Sequence, residues 1–321
     1  MSKKTRNVWV LTAALFLVVA ALFIPPAQAA GKGNKWIALR HRFKPGETLE
    51  YAVTMNMSGQ EGDMPINIDV ETGLKMKVLA VDTKGTATVT LTLDEMNMDM
   101  QVMGQSMNMR MGPSGLKVTS GGQIVYDSSA AGGTGQMQMD QMGMFGGMMD
   151  EKLFRQGLTA TITKLGETTI PDLASGSGDD AMGFDVFEQR ALPEKLVRPG
   201  DTWTTQVPIP GFGGPGSGAG GSTAEAVLES IETVNGRLLA KISAQMDTDI
   251  SQLIAGQPGV PATGVPEMRM TGQMTTYFNI EEGYVLRESG EFSMNMAGSP
   301  GAPGLGGGES MNIVLKRELR E

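Results

Sequence analysis

The residues of this chain best suited to chemistry are methionines set two apart. Met55 and Met57, Met96, Met98 and Met100, and Met107, Met109 and Met111 alternate with Thr, Asn, Asp, Gln and Arg. A period of two places each set on one face of a strand, so the thioethers form an apolar stripe. Three readings of the stripe are open. Methionine fills irregular cores, each buried side chain contributing about 1.5 to 3 kcal/mol. Its unbranched side chain also repacks around varied shapes, which suits a groove for a lipid or another hydrophobic ligand. Finally, a soft thioether ligates copper(I). Residues two apart on a strand are separated by about 6.6 Å, so copper needs sulfurs from neighbouring strands or from a flexible segment. Met137, Met139, Met142 and Met144, with Met148 and Met149 close behind, supply such a segment.

Little else in the sequence carries chemistry. There is no cysteine, which excludes disulfides, thiolate metal sites and cysteine nucleophiles. His41 is the one histidine, and between Arg40 and Arg42 it reads as a solvated strand residue. With a single histidine an H-E-x-x-H zinc site is impossible, and neither a G-x-S-x-G elbow nor a P-loop occurs. Residues 211–216 fit G-x-G-x-x-G, but they follow Pro208 and Pro210 and lead into more Gly and Ser, not into the helix of a βαβ unit. The adjacent carboxylates Asp94-Glu95, Asp179-Asp180 and Glu281-Glu282 read as solvated turn residues. Trp36, Trp203, Tyr51, Tyr277 and Tyr284 read as core aromatics or as gates to a groove. The expectation is a non-enzymatic protein without a cofactor.

The elements that position these residues are strands. Lys44-Pro45-Gly46-Glu47-Thr48 recurs about 150 residues later as Arg198-Pro199-Gly200-Asp201-Thr202, and strand-like sequence follows each copy. In each, Pro suits position i+1 and Gly position i+2 of a type II turn. Residues 39–43 read as a strand running into the first copy. After it, alternation continues through 48–57, 66–81 and 86–93 and through the two Met-rich strands joined at Gly104-Gln105, which together make an antiparallel meander. Residues 112–122 read as a tight connection before a short strand at Ile124-Val125-Tyr126. A Met/Gly/Gln loop occupies 130–147, a short helix 150–156, a hairpin 158–170, and an amphipathic helix 179–190. In the second half, Asn235-Gly236 gives the strongest hairpin signal, a type I′ turn. Strands at 268–280, 284–296 and 310–320 complete a second meander among Pro/Gly loops. The fold class is mainly β with a minor α+β character: two related antiparallel curved sheets or half-barrels with one or two short covering helices. The divisions fall at 1–29, 36–128, 129–191 and 192–321.

Lys3, Lys4 and Arg6 precede an apolar run from Val8 to Ile24, followed by Pro25-Pro26 and an Ala27-Gln28-Ala29 cleavage motif. This reads as a secretory signal peptide at 1–29, with retention as an N-terminal anchor as the alternative. The expected location is periplasmic or extracellular, with no integral span after cleavage. A net charge of -9, more negative once the three cations of the leader are gone, argues against nucleic acid and anionic lipid headgroups as partners. The remaining partners are a hydrophobic ligand or another envelope protein.

Three phrases resemble a group of bacterial envelope proteins with the curved sheet of the LolA and LppX lipoprotein carriers. They are Phe43-Lys44-Pro45-Gly46-Glu47, then Leu192-Pro193-Glu194-Lys195 with Gly200-Asp201-Thr202-Trp203, and Phe278-Asn279-Ile280-Glu281-Glu282-Gly283-Tyr284. The resemblance implies a half-barrel with an apolar concave face and carriage of acyl chains. This chain lacks the anchoring cysteine of the lipoprotein members. Its primary reading is an exported carrier of a hydrophobic, lipid-like ligand; the alternatives are a structural envelope protein with no small ligand and a Met-rich copper(I) protein.

Overall fold

The computed structural model describes residues 35–61, 64–102, 104–129, 154–171, 191–208, 221–251, 267–296 and 309–320. The account below concerns the compact unit Trp36–Glu321. Its strands are β1 (Thr48–Glu61), β2 (Met64–Val81), β3 (Ala87–Val102), β4 (Gln105–Gly112), β5 (Gly115–Ser120), β6 (Gln123–Asp127), β7 (Leu158–Ile162) and β8 (Thr168–Thr169). The second half supplies β9 (Thr202–Pro208), β10 (Gly221–Val234), β11 (Arg237–Asp249), β12 (Met268–Asn279), β13 (Tyr284–Met296) and β14 (Glu309–Leu319).

All belong to one antiparallel sheet in the order β6-β5-β4-β3-β2-β1-β14-β13-β12-β11-β10-β9, with β7 and β8 branching from β3. Each half is thus a six-stranded meander, and the two join where the first strand of one pairs the last strand of the other. The β1·β14 ladder runs from Tyr51↔Leu319 to Gly59↔Met311. The fold is mainly β, and the two antiparallel units expected from the sequence form one curved sheet that does not close, with β6 and β9 as its ends.

The two Pro-Gly turns sit in equivalent places. Gly46 N–H donates to the Val78 carbonyl and Val78 N–H to that of Glu47, both at 2.8 Å. In the second copy Gly200 N–H donates to Leu228 at 2.8 Å and Leu228 N–H to Asp201 at 3.1 Å. Gly46 and Gly200 have φ of 85° and 95°, which a side chain rarely tolerates. In both, the acid caps its own turn, Glu47 accepting from Lys44 N–H at 3.3 Å and Asp201 from Arg198 N–H at 3.0 Å. Immediately past each docking point the ladder slips by one residue, at Val78/Ala80 in β2 and at Leu228/Ser230 in β10. Such bulges sharpen the local twist.

Three expectations need correction. Residues 39–43 do not form a strand; they lie as an extended strap whose neighbour Ile37 bridges Val197, with N–H···O distances of 2.8 and 2.9 Å. His41 is buried beneath this strap instead of solvated, because Arg40 and Arg42 turn outward to hold backbone carbonyls of 193–194 and of Glu281. The stretch 112–122 contains strand β5, whose Leu116 and Val118 face the core. Of the short helix expected at 150–156, residues 150–153 lie outside the described residues and 154–155 are helical. The amphipathic helix expected at 179–190, the Met-rich segment 130–147 and the Pro/Gly loops lie outside the described residues.

Candidate functional site

One face of the sheet is apolar and buried, and the other is polar and exposed. The register stacks the inner residues into rows that cross the strands. One row reads Met109, Met98, Val70, Met55, Leu315, Gly290, Met274, Ala244, each directly opposite the next. The row below it reads Met107, Met100, Ile68, Met57, Ile313, Phe292, Gly272 and Met246. Below that, Gly59, Met311, Met294 and Met270 continue the pattern. The methionines therefore form one belt across the sheet from β4 to β11, although the chain delivers them in groups far apart in sequence.

All eight candidate methionines of the first half belong to this face. Met98, Met100, Met109 and Met111 are buried, whereas Met55, Met57, Met96, Met107 and, in the second half, Met311 are half-buried. The second half adds the buried Met246, Met268, Met270, Met274 and Met294 to this face, none of them among the candidates above. The signal was present, since 268, 270 and 274 share one parity on β12.

Glycines flatten the belt on β12 and β13. A Cβ at Gly290 would meet the ring of Phe292 at 2.7 Å, and one at Gly272 would collide with the same ring. Phe292 therefore lies against the sheet backbone in the space that two side chains would otherwise fill.

The copper reading gains proximity but no further ligand. Met98 stands opposite Met109 and Met100 opposite Met107, at the roughly 5 Å Cβ separation of cross-strand pairs. His41 lies towards the other end of the strands, beside Phe278 and Gly283. Among the described residues no three His, Cys, Asp or Glu side chains are grouped to hold a metal ion. Met137, Met139, Met142 and Met144 lie outside the described residues.

The row directly above the belt differs in kind: Met96, Thr72, Val53, Arg317, Glu288, Thr276, Ile242. Arg317 and Glu288 form an ion pair at 3.1 Å, the side chains only 4% and 7% exposed. The Thr276 hydroxyl donates to Glu288 Oε1 at 2.9 Å. The ring of Tyr51 lies 5.4 Å from the guanidinium carbon of Arg317, and burial raises the pKa of its phenol.

Above this row the strap closes the face. His41 stacks on Phe43 at 5.3 Å and meets Phe278 edge-on at 5.4 Å, with Nδ1 3.1 Å from the Gly283 carbonyl. Burial, reinforced by the Arg317 charge and opposed by the bond to Gly283, pushes its pKa down to about 4. His41, Trp203, Thr205, Thr276 and Phe278 help to line a cavity of about 20 Å³, the size of a water site and far too small for a lipid. A larger cavity of about 370 Å³ opens on the polar face among Thr54, Glu71, Asp94, Glu95, Asn97 and Arg320, where the charged side chains suit an acyl chain poorly.

Tyr51 is a core aromatic, while Trp36 is half-exposed with Arg198 4.9 Å from its ring. Trp203, Tyr277 and Tyr284 are partly buried. Tyr284 donates to Glu282, and desolvation together with that carboxylate raises its pKa to about 12. Asp94 and Glu95 are paired with Arg320 and Arg110 on the polar face, in keeping with solvated carboxylates.

No family model and no curated protein matches the sequence. Among solved structures, one of lipovitellin describing lipid–protein interactions is similar over 87% of this chain and 26% of its own, at 10% identity and a TM-score of 0.41. This chain thus spans about a quarter of that protein. A DUF1329 family protein from Desulfovibrio piger is similar over 86% of this chain and 85% of its own, at 8% identity and a TM-score of 0.16. Both are distant likenesses of backbone path. What is present of the expected carrier-like architecture is the large curved antiparallel sheet seen in the strand order, and no sequence family is identified.

Proposed function

We propose that this is an exported, non-enzymatic protein that holds a hydrophobic ligand against the methionine belt of its inner face. The observation that carries the proposal is the continuity of the belt: thioethers, aliphatic side chains and flattened glycine positions adjoin across eight consecutive strands without a charged residue in the two central rows. Methionine rearranges at low cost, so a packed belt opens to admit an acyl chain more readily than a β-branched wall of equal area. The half-buried members, Met55, Met57, Met96, Met107 and Met311, mark where it opens.

The rival reading, that the belt is simply core, draws on the depth of Met98 and Met109, which are only 4% and 3% exposed. An uncharged naphthylamine fluorophore distinguishes the two. Under the carrier reading the parent protein enhances and blue-shifts its emission, and Met57→Gln or Met107→Gln weakens binding severalfold. Absence of any enhancement, together with no lipid in organic extracts of natively purified protein, overturns the carrier reading and leaves the structural one.

A further inference from the structure

The polar row above the belt makes one demand that the fold does not meet. Arg317 gives an Nη2 hydrogen to Glu288, yet its Nε is buried and has no hydrogen-bond partner among the described residues. A buried donor without an acceptor is costly and rare in folded proteins. The cluster is otherwise balanced: guanidinium and carboxylate cancel, and Thr276 occupies the second carboxylate oxygen. His41 adds no charge at neutral pH, because burial keeps it unprotonated. The remaining donor therefore calls for an uncharged acceptor. A carboxylate brought here would leave a net negative charge buried beside Glu288.

The position of the donor says what else the acceptor is joined to. Arg317 shares the inner face of β14 with Leu315, Ile313 and Met311, and stands across the ladder from Val53, next to Met55 and Met57 on β1. Six residues at the strand rise give about 20 Å of apolar track leading away from Arg317. Beside this track, Gly290 on β13 leaves room that the flattened ring of Phe292 and the flexible tip of Met274 occupy.

We propose that Arg317 Nε receives the carbonyl oxygen of an uncharged acyl lipid, an ester or amide, whose chain lies along the methionine belt. This rests on the carrier reading and names its class of ligand: neutral acyl lipids over both free fatty acids and plain hydrocarbons.

The test is displacement of the naphthylamine fluorophore by methyl palmitate, hexadecane and palmitate at mildly alkaline pH, on the full chain. The ester is expected to compete about tenfold more tightly than the alkane, which corresponds to about 1.4 kcal/mol. It is also expected to outcompete palmitate. Replacing the pair together, Glu288→Met with Arg317→Met, leaves no buried charge unpaired; it should bring the ester-to-alkane ratio to about one while hexadecane binds as before. Equal competition by ester and alkane in the parent overturns the carbonyl site and leaves the carrier reading standing. Tightest binding by palmitate overturns it in favour of a carboxylate site, and an unchanged ratio in the double variant removes Arg317 from the role. If the fluorophore does not bind at all, both readings fall together. The parent comparison decides the question even if the double variant does not fold.

Discussion

The two ends of the inner face are held by different physics. At the strap end, directional contacts fix every group: His41 is pinned between Phe43, Phe278 and the Gly283 carbonyl, and backbone bonds tie 37 to 197, 41 to 164 and 192 to 165. At the methionine end the inner face is held by non-directional packing of flexible thioethers. The ion pair of Glu288 and Arg317 marks the border. Directional contacts specify one arrangement and fail abruptly when broken; thioether packing admits many arrangements of similar energy. A sheet built this way is rigid at one end and yielding at the other, which is what an apolar binding face needs.

The border pair should give the largest effect. Glu288→Gln leaves Arg317 buried without its counter-charge and should cost roughly 3 to 5 kcal/mol in chemical denaturation. A loss below about 1 kcal/mol would mean that water reaches the pair and that the border is not dry.

Acid should loosen the strap end selectively. With its folded pKa depressed to about 4 and an ordinary value of 6.5, His41 binds a proton more readily in the unfolded chain. Its contribution is present above pH 6.5 and is lost as pH falls towards 4, so stability rises with pH across that window, by about 3 kcal/mol. His41→Gln should remove this part of the slope. A slope unchanged in the variant would assign it to carboxylates elsewhere.

The strap can also be broken sterically. Gly283 has φ of 76°, and a Cβ there would stand 2.5 Å from Arg42 N and 2.7 Å from the Arg40 carbonyl. Gly283→Ala should cost on the order of 2 kcal/mol, and it should return the His41 ring resonances to titration near the ordinary 6.5. A histidine that stays untitrated in this variant would show that the strap is anchored by other contacts.

At the methionine end the cost should track depth. Met98→Gln and Met109→Gln each bury an amide and should cost about 1 to 3 kcal/mol, whereas Met57→Gln and Met107→Gln should cost less than about 1 kcal/mol and act mainly on ligand binding. Equal costs at all four would make the belt uniform core. Smallest of all, Arg269→Ala breaks the exposed pair with Asp247 on the polar face, 2.7 Å long, and should leave the denaturation midpoint unchanged.

Much of the fold is legible in the sequence because strand periodicity and turn chemistry are local. The alternation of 96–100 and 107–111 fixes which residues share a face, and Asn235-Gly236 adopts the positive φ values, 51° and 78°, expected of its hairpin turn. The duplicated Pro-Gly phrase points to the two docking turns before any contact is known, since Pro and Gly impose their backbone angles wherever they stand. What the sequence does not contain is the identity of distant neighbours. Met55 meets Leu315, and Arg317 meets Glu288, only because β1 pairs β14 and β14 pairs β13. A hint was available: Arg317 follows Ile313 and Leu315 at the inner parity of β14, and Glu288 precedes Gly290, Phe292 and Met294 at that of β13, so each is a charge where the pattern calls for an apolar residue. The burial of His41 had no such signal, because its flanking arginines read as solvent and the strap is not a strand. Periodicity and backbone preference are set within a few residues and so were determined by the sequence alone. Which apolar rows adjoin, which charges pair and what covers them depend on ladders between segments that lie tens to hundreds of residues apart, and those only the tertiary structure decided.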